Sequence, residues 1–403
     1  MSPSVTPARE ARRRPPRRKA MIVDAARRLA ADGGLAAVSM EAIASEVGIT
    51  AGGLYRHFPG KTAIAGAVRI ETIEHFVDLA DRASQSAAPG GEAAAIVAAT
   101  VASTLDDPSL LRFYMREWGA LADGRITTAE RRLVRLWTDA VRAARPQVSR
   151  AHARVRQAGV MGALAGTSRM ASIHRPRSDV LLGRACTAVL LRAPVPVADQ
   201  SAPIPPGADW KPPASRRDEI MSAALRLFRV RGFAGTTVDD IGQAVGLAGS
   251  GIYRSFPSKA EILLDAYDRT AARVEVGVDA ALAAAADPLD AIRRMTSSYA
   301  RIALDNTDLI VVTGRESSGL PPQERARIAR RNRGLRDAWV PVVRQVRDDL
   351  SEPEARMLYR GALALANQAA LFPEKEPLGP GTVADLMMAF LLSATSISGQ
   401  EAT

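Results

Sequence analysis

Apolar residues recur every three or four positions through most of the chain and rarely alternate, a pattern that predicts helices rather than strands. Near the beginning of the chain Ile22, Ala25, Ala26, Leu29 and Ala30 form one such stripe. Similar segments follow, separated by glycine, proline or polar breaks. We therefore predict an all-α protein in which each helix buries one apolar face.

The same pattern occurs twice, because residues 18–64 align with residues 216–262 at a constant offset of 198 and without a gap. Identical pairs run through both segments: Ile22/Ile220, Ala25/Ala223, Ala26/Ala224, Leu29/Leu227, Gly34/Gly232, Ile43/Ile241, Val47/Val245, Gly48/Gly246, Gly53/Gly251, Tyr55/Tyr253, Arg56/Arg254, Phe58/Phe256, Pro59/Pro257 and Lys61/Lys259. Chance does not explain this agreement. The chain is predicted to be one unit of roughly 200 residues, duplicated and fused.

Each copy predicts three short helices followed by a longer one. In the first copy Gly34 suits a left-handed cap after the first helix, and Ser39 suits the N-cap of the second. Gly48 falls where the turn into a third helix, 51–57, requires positive φ. The fourth helix is predicted to begin near Lys61. The second copy repeats these signals at Gly232, Thr237, Gly246, 249–255 and Lys259.

Two helices joined by a glycine turn, with core residues at this spacing, predict a helix-turn-helix. The extended pattern S/T-x-x-x-I-x-x-x-V-G-[IL]-x-x-x-G-[LI]-Y-R-x-F-P-x-K closely resembles the TetR family of transcriptional regulators, strongly over 16–76 and 214–274 and more weakly elsewhere. A subunit of that family is about the size of one repeat, so the chain is similar to two subunits joined head to tail. The predicted domains are a basic arm (1–15), a helix-turn-helix head (16–76), a helical regulatory domain (77–192), a linker (193–213), a second head (214–274) and a second regulatory domain (275–403).

The third helix of each head is predicted to lie in the major groove of operator DNA. The predicted DNA-binding residues are Ser39, Thr50, Gly52, Gly53, Tyr55, Arg56, His57 and Lys61 in the first head, and Thr237, Ser250, Tyr253, Arg254, Ser255 and Lys259 in the second. The resemblance implies that the tyrosine hydroxyls contact phosphate; the alternative is that they only cover a small core. Because a cation at a helix start opposes the helix dipole, we interpret both lysines as phosphate ligands, against the alternative of exposed lysines without a partner.

The third helices depart from the family pattern, since they read Ala51-Gly52-Gly53 and Gly249-Ser250-Gly251 where many members carry a long side chain. Glycines inside a helix cost about 1 kcal/mol each relative to alanine and offer no side chain to base edges. Two explanations stay open. Either the glycines allow the backbone to approach DNA closely, or these helices read sequence weakly and the basic arm supplies affinity from the minor groove.

Positive charge is concentrated at the beginning of the chain. The formal net charge is +11, and seven of the residues 9–19 are arginine or lysine. The arm residues predicted to bind DNA are Arg12, Arg13, Arg14, Arg17, Arg18 and Lys19. Such a run is expected to be disordered when free and suits a polyanion; a solvated tail is the alternative, and a membrane surface fits less well because no apolar face accompanies it. Only the first head has an arm, so the heads are expected to contribute unequally.

Seven prolines in residues 193–213 exclude a regular helix or strand there and predict an extended spacer with a reach of about 65 Å. The resemblance implies that the last two helices of each unit form a four-helix bundle. We therefore favour a single chain acting as a pseudo-dimer on one operator. The alternative is a two-chain dimer with four heads.

The regulatory domains are predicted to be helical throughout. The expected helices are 61–84, 91–105, 108–122, 127–145, 149–172 and 178–192 in the first unit, and 259–285, 288–304, 307–315, 322–349, 353–371 and 382–397 in the second. Family resemblance suggests an unknown small-molecule effector, apolar or amphipathic, and the candidate pocket residues are Tyr114, Arg116, Trp118, Trp137, Arg315, Trp339 and Asn367. Aromatic residues at helical spacing also suit a core.

Other classes of protein are disfavoured. One cysteine, Cys186, and four histidines give no disulfide framework and no metal spacing, so neither a cofactor nor a metal is expected. No catalytic motif stands out, and neither a signal peptide nor a transmembrane segment is expected, which favours a cytoplasmic protein that is not an enzyme. The expected function is a ligand-responsive transcriptional repressor, although activation stays open. The alternative is a ligand-sensing or protein-interaction module whose heads no longer read DNA.

Overall fold

The computed structural model describes residues 16–31, 34–35, 38–116, 124–171, 177–194, 215–233, 235–316, 322–371 and 379–393. Within these ranges every regular element is a helix, which confirms the all-α prediction. The first unit consists of α1 (Pro16–Ala30), α2 (Met40–Val47), α3 (Ala51–Tyr55), α4 (Lys61–Ser86), α5 (Glu92–Asp106), α6 (Pro108–Arg116), α7 (Gly124–Ala144), α8 (Arg150–Ala171) and α9 (Arg177–Leu191). The predicted linker lies almost entirely outside the described residues.

The second unit repeats the order of the first. It consists of α10 (Arg216–Arg231), α11 (Val238–Ala244), α12 (Gly249–Tyr253), α13 (Lys259–Ala284), α14 (Pro288–Asp305), α15 (Thr307–Glu316), α16 (Pro322–Val346), α17 (Glu352–Ala370) and α18 (Pro380–Leu391). The predicted helices agree with these bounds to within a few residues, apart from the ends predicted at 122 and 397, which lie outside the described ranges. The duplication inferred from the heads therefore extends over both units.

Each head encloses a small apolar core. In the first head Ile22, Ile43 and Leu54, one from each of its three helices, are fully buried. The predicted stripe on α1 is wrong at one position: Leu29, in the last turn, is 37% exposed, whereas Val23 is buried. The second head is built in the same way around Ile220, Ile241, Ile252 and Phe256.

A continuous helix connects each head to its regulatory domain. In the first unit α4 contributes Ile64 and Val68 to the core of the head, and Ile73 and Phe76 to the core of the regulatory domain. The boundary predicted between residues 76 and 77 therefore falls inside α4, and the corresponding boundary in the second unit falls inside α13. Each head and its regulatory domain therefore share one continuous helix.

The two units pack against each other through the last two helices of each. α8 lies along α17 and α9 lies against α18, so that the four helices form one bundle. Glycines allow the close approach of α8 to α17: a Cβ added at Gly162 would lie 2.5 Å from the Cβ of Gln368, and one at Gly166 would lie 2.6 Å from the Cβ of Ala364. The cores of the two regulatory domains are continuous through this bundle.

In the part of the chain that the structure describes, no single helix is both long and apolar enough to cross a bilayer. One pair of consecutive helical segments, Glu92–Asp106 and Pro108–Met115, reaches the required length and composition only together, and the pair bends by 104° at its break. Ile96 and Val97 in this pair are fully buried inside the fold.

Cys186 lies on the buried face of α9, and burial raises the pKa of its thiol well above the ordinary value. Since the thiolate is the reactive form, this cysteine is expected to be inert in the native protein. Ellman's reagent should give no reaction with the folded chain at neutral pH and one thiol per chain after denaturation. Full labelling of protein with native circular dichroism would contradict the burial of α9.

Candidate functional site

The first head positions its second and third helices by an N-cap and a glycine turn. Ser39 caps α2, because its side-chain oxygen accepts a hydrogen bond of 3.0 Å from the backbone N–H of Ala42. Gly48 has a φ of +69° and its N–H donates to the carbonyls of Ala44 and Ser45. Both predicted roles are confirmed. Ser39 is exposed and its hydroxyl proton is not used by the cap, so it is placed to donate to an anion.

The predicted recognition segment lies on the surface of the first head. Thr50 caps α3 by accepting from the N–H of Gly53, and a Cβ at Gly53 would lie within 4 Å of both Thr50 Oγ1 and Arg56 Nη2. Arg56 is exposed, as is Tyr55 at 52%. Of the two predicted glycines, Gly53 is buried and Gly52 faces open space. Only Gly52 is therefore placed for close backbone approach. His57 is half-buried beside this surface.

The second head differs in how its α11 is capped. Thr237 and Asp240 form a capping box, in which the hydroxyl of Thr237 donates to the Asp240 carboxylate over 2.6 Å and accepts from the N–H of Asp240. These hydrogen bonds from Thr237 lower the pKa of Asp240. Ser39 leaves its hydroxyl proton free, whereas Thr237 donates its own to Asp240 within the capping box. Ser250, Tyr253 and Arg254 are exposed in α12 and at its end, and Ser255 is half-buried.

The two predicted phosphate-binding lysines lie at the first residue of α4 and of α13, as expected. Lys259 Nζ donates to the carbonyl of Phe233 over 2.7 Å and to that of Thr236 over 3.0 Å, and lies 4.6 Å from the ring centroid of Phe233. These contacts hold the loop between α10 and α11. For Lys259 the geometry therefore favours a structural role over the predicted phosphate contact. Lys61 is half-buried at the equivalent position.

Part of the predicted basic arm is helical. Arg17, Arg18 and Lys19 belong to the first turn of α1, which corrects the expectation that residues up to 19 form an unstructured tail. The physical reason is that Pro16 suits the first position of a helix, where no N–H is needed. Lys19 Nζ lies 5.8 Å from the ring centroid of Phe58. Arg12, Arg13 and Arg14 lie outside the described residues.

Three of the seven predicted pocket residues are buried in the regulatory cores. Tyr114 and Trp137 are 1% exposed and Trp339 is fully buried, so these three aromatic residues fill the regulatory cores. Arg116 is the last residue of α6, and Arg315 is the last but one of α15. The side chains of both, and the whole of Trp118, lie outside what the structure describes. The helical spacing of these aromatic residues suits a core as well as a ligand cage.

Asn367 is the predicted pocket residue that faces a cavity. This cavity, about 460 Å³ in volume, lies in the second unit between α13, α14, α15, α16 and α17. Tyr299 donates to Asn367 Oδ1 over 3.0 Å on its wall, and Tyr267 donates to Asn332 Oδ1 over 2.7 Å. The sequence does not predict these two contacts, because Tyr267 and Tyr299 bond to asparagines that lie 65 and 68 positions further along the chain.

Two copies of a helix-turn-helix, each presenting an exposed tyrosine and arginine at the end of its third helix, define a DNA-binding class of fold. A sequence profile described as bacterial regulatory proteins, tetR family, matches residues 22–68 and 220–266, one match in each head. The chain belongs to the TetR family and carries its DNA-binding domain in tandem.

Several known proteins share this similarity. The transcriptional repressor KstR2 of Mycolicibacterium smegmatis is 29% identical over 140 residues, which cover 33% of this chain and 65% of KstR2. The transcriptional regulator EthR of the same organism is 38% identical over 80 residues, covering 20% of this chain and 37% of EthR. The solved structure of the TetR-family regulator PfmR from Thermus thermophilus is 24% identical, covers 43% of this chain and 97% of PfmR, and has a TM-score of 0.39. The chain thus spans less than two thirds of either curated relative.

Proposed function

We propose that the protein is a DNA-binding transcriptional regulator in which one chain acts as a covalent pseudo-dimer on a single operator. The observation that carries this proposal is the bundle of α8, α9, α17 and α18, which joins two helix-turn-helix units of the same chain. Each unit carries its own exposed recognition segment. A single chain thereby holds both of the heads that a pair of half-sites requires.

The packing of α8 on α17 supports pairing of unlike units. α8 begins at Arg150 and α17 at Glu352, so Gly162 corresponds to Ala364. If two copies of the second unit paired, Ala364 would occupy the place of Gly162, where a Cβ meets Gln368 at 2.5 Å. If two copies of the first unit paired, Gly166 would replace Gln368 and leave a gap. The interface fits one unit of each kind.

Covalent linkage favours pairing within the chain. Joining two partners by a flexible segment gives each an effective concentration near millimolar for the other, so that the intramolecular interface forms before a second chain competes. A two-chain assembly with four heads would have to replace an interface that is already satisfied. We therefore favour one chain per operator over the four-headed alternative.

The regulatory mechanism that we propose is a population shift. The two heads must lie about 34–36 Å apart to enter successive major grooves. A small molecule bound in a regulatory domain would displace α4 or α13, because these helices belong to both cores, and would change that separation. Binding near a promoter blocks polymerase, so repression is the expected outcome.

The two heads are proposed to contribute unequally to DNA binding. The first head has the basic arm and a Ser39 hydroxyl free to donate, whereas in the second head Thr237 is bonded to Asp240 and Lys259 to backbone carbonyls.

A second candidate function follows from the same observations, namely a module that senses ligand without reading DNA. A gel shift with the DNA upstream of the gene, at two salt concentrations, separates the two, since phosphate contacts make affinity fall with salt.

Arg56→Ala is expected to weaken binding to the preferred operator by about 1–3 kcal/mol and to flatten the sequence preference, if the guanidinium reads a base edge. Lys61→Ala should weaken binding to all sequences alike. Arg254→Ala is the matched control in the second head and should have the smaller effect. Fluorescence anisotropy with operator and scrambled duplexes measures all three. Equal losses of Arg56→Ala on both duplexes would contradict base readout by Arg56.

A further inference from the structure

The surfaces of the two heads can be compared residue by residue. α2 and α11 begin at residues 40 and 238, α3 and α12 at residues 51 and 249, and α4 and α13 at residues 61 and 259. All three pairs keep the offset of 198 at which the sequences of the heads align without a gap. Each exposed residue of one head therefore has a defined counterpart on the other.

The heads agree at the end of the third helix. Tyr55 and Arg56 correspond to Tyr253 and Arg254, and all four are exposed. The backbone also agrees, since φ and ψ are −67° and −22° at Arg56, and −68° and −29° at Arg254. Because the same side chains leave the same backbone at the same place, these residues are expected to make the same contacts in both halves of an operator.

The heads differ at the beginning of the third helix. In the second head the side chain of Asp239, which comes from α11, lies over the first residue of α12. A Cβ added at Gly249 would overlap Oδ1 of Asp239 and lie 3.1 Å from its Cγ. The counterpart of Gly249 is Ala51, which carries that Cβ. The same place therefore holds a carboxylate in the second head and a methyl group in the first.

The carboxylate of Asp239 is available to a ligand. The neighbouring Asp240 accepts from the hydroxyl of Thr237 over 2.6 Å and pairs with Arg231 over 3.0 Å. Asp239 is exposed, and its carboxylate makes no such hydrogen bond or ion pair to any residue that the structure describes. Its oxygens are therefore free to accept hydrogen bonds from DNA.

These groups suit different bases. A carboxylate accepts a hydrogen bond from the N4 amino group of cytosine, whereas a methyl group packs against the C5 methyl of thymine. The next position of the third helix differs as well, because Gly52 faces open space and its counterpart Ser250 presents an exposed hydroxyl. At two consecutive positions the heads therefore offer different chemistry to the base edges of the major groove.

We infer that the chain binds a non-palindromic operator in one fixed orientation. The two half-sites share the position that faces Arg56 and Arg254, and differ at the helix start, where thymine faces Ala51 and cytosine faces Asp239. A palindromic operator mirrors two identical subunits, and the heads of this chain are not identical. The inference rests on the proposed function and deepens it, since it gives the bound regulator a direction along the DNA.

The probe for the test is a library of random DNA duplexes, each long enough for two half-sites about 10 bp apart. Repeated selection with the full chain should give a motif of two halves that share one position and differ at others. A palindromic motif would overturn the inference and leave the proposed function standing. If no sequence were enriched, the proposed function would fail, and the inference with it.

Three duplexes made from the selected motif measure the asymmetry in the unaltered chain. One has the selected sequence, and each of the others repeats one half-site as a palindrome. Both palindromes should bind at least about tenfold more weakly in fluorescence anisotropy, because one head then meets mismatched bases. Equal affinity for all three duplexes would contradict the inference, and this result does not depend on the folding of any variant.

A pair of variants tests the role of Asp239. Asp239→Ala should weaken binding to the selected duplex about fivefold and remove the preference for cytosine at that position. Glu41→Ala is the matched control in the first head: it also removes one exposed negative charge, but Ala51 already occupies the place beside the third helix. Glu41→Ala should leave the base preference unchanged. If Asp239→Ala kept its native circular dichroism and altered binding to all duplexes alike, Asp239 would not read a base.

Discussion

Gly162→Leu is expected to break the contact between the two units and to abolish tight operator binding while both heads stay folded. A Cβ at residue 162 would lie 2.5 Å from the Cβ of Gln368 and 2.9 Å from the carbonyl oxygen of Ala364. Neither atom is the end of a flexible side chain, so α8 and α17 must move apart. Overpacking of this kind costs about 1–3 kcal/mol, and the further atoms of leucine raise the cost.

The same substitution at Gly183 is the matched control. Gly183 lies on α9, another helix of the bundle, and a Cβ there has no neighbour within 4 Å among the described residues. Gly183→Leu should be neutral or stabilise the helix by up to about 1 kcal/mol. Thermal unfolding followed by circular dichroism, together with an operator gel shift, compares the two variants. If Gly162→Leu kept wild-type stability and operator affinity, the close packing of α8 on α17 would be refuted.

Arg156→Leu is expected to lower the free energy of unfolding by about 3–5 kcal/mol, as when a buried charged network loses one partner. The side chain of Arg156 is 2% exposed and donates to four carbonyls at the end of α9, those of Val189, Leu190 and Ala193 over 3.0 Å and that of Pro194 over 2.8 Å. Leucine supplies no donor, and these carbonyls lose their capping partner.

A control and a pH dependence make this expectation specific. Arg184→Leu, on an exposed position of α9, should change stability by less than about 0.5 kcal/mol.

Burial raises the pKa of Asp385, and the charge of Arg156 opposes that rise. Without Arg156 the pKa of Asp385 rises further. Because the folded state then holds a proton that the unfolded state releases, the deficit of Arg156→Leu should grow as pH increases. Urea unfolding at two pH values measures this; a deficit that shrinks with pH would contradict it.

The sequence predicted the heads well because their structure depends on local signals. Ser39 caps α2 through a bond to a residue three positions away, and Gly48 and Gly246 adopt the positive φ that a short turn requires. The repeat made each signal visible twice. Helix bounds in the regulatory domains followed from the same kind of local pattern.

The parts that could not be predicted depend on contacts between distant residues. Nothing next to Lys259 in the sequence shows that its ammonium group bonds to carbonyls 26 and 23 positions away. Trp137 and Trp339 looked equally suitable for a pocket, and only the packing of several helices buries both. One signal for the cavity is available in the sequence. The second unit has Val274 where the first has Phe76, which indicates a smaller side chain at that position.

The mass of the particle that binds DNA tests the account most directly. Sedimentation or light scattering of the free protein at low micromolar concentration should give the mass of one chain, 42.8 kDa. On an operator duplex the complex should contain one chain per DNA molecule. A footprint should show protection of the DNA beneath both heads. A free protein of twice that mass, or a complex that requires two chains on one operator, would contradict a single chain as the complete DNA-binding unit.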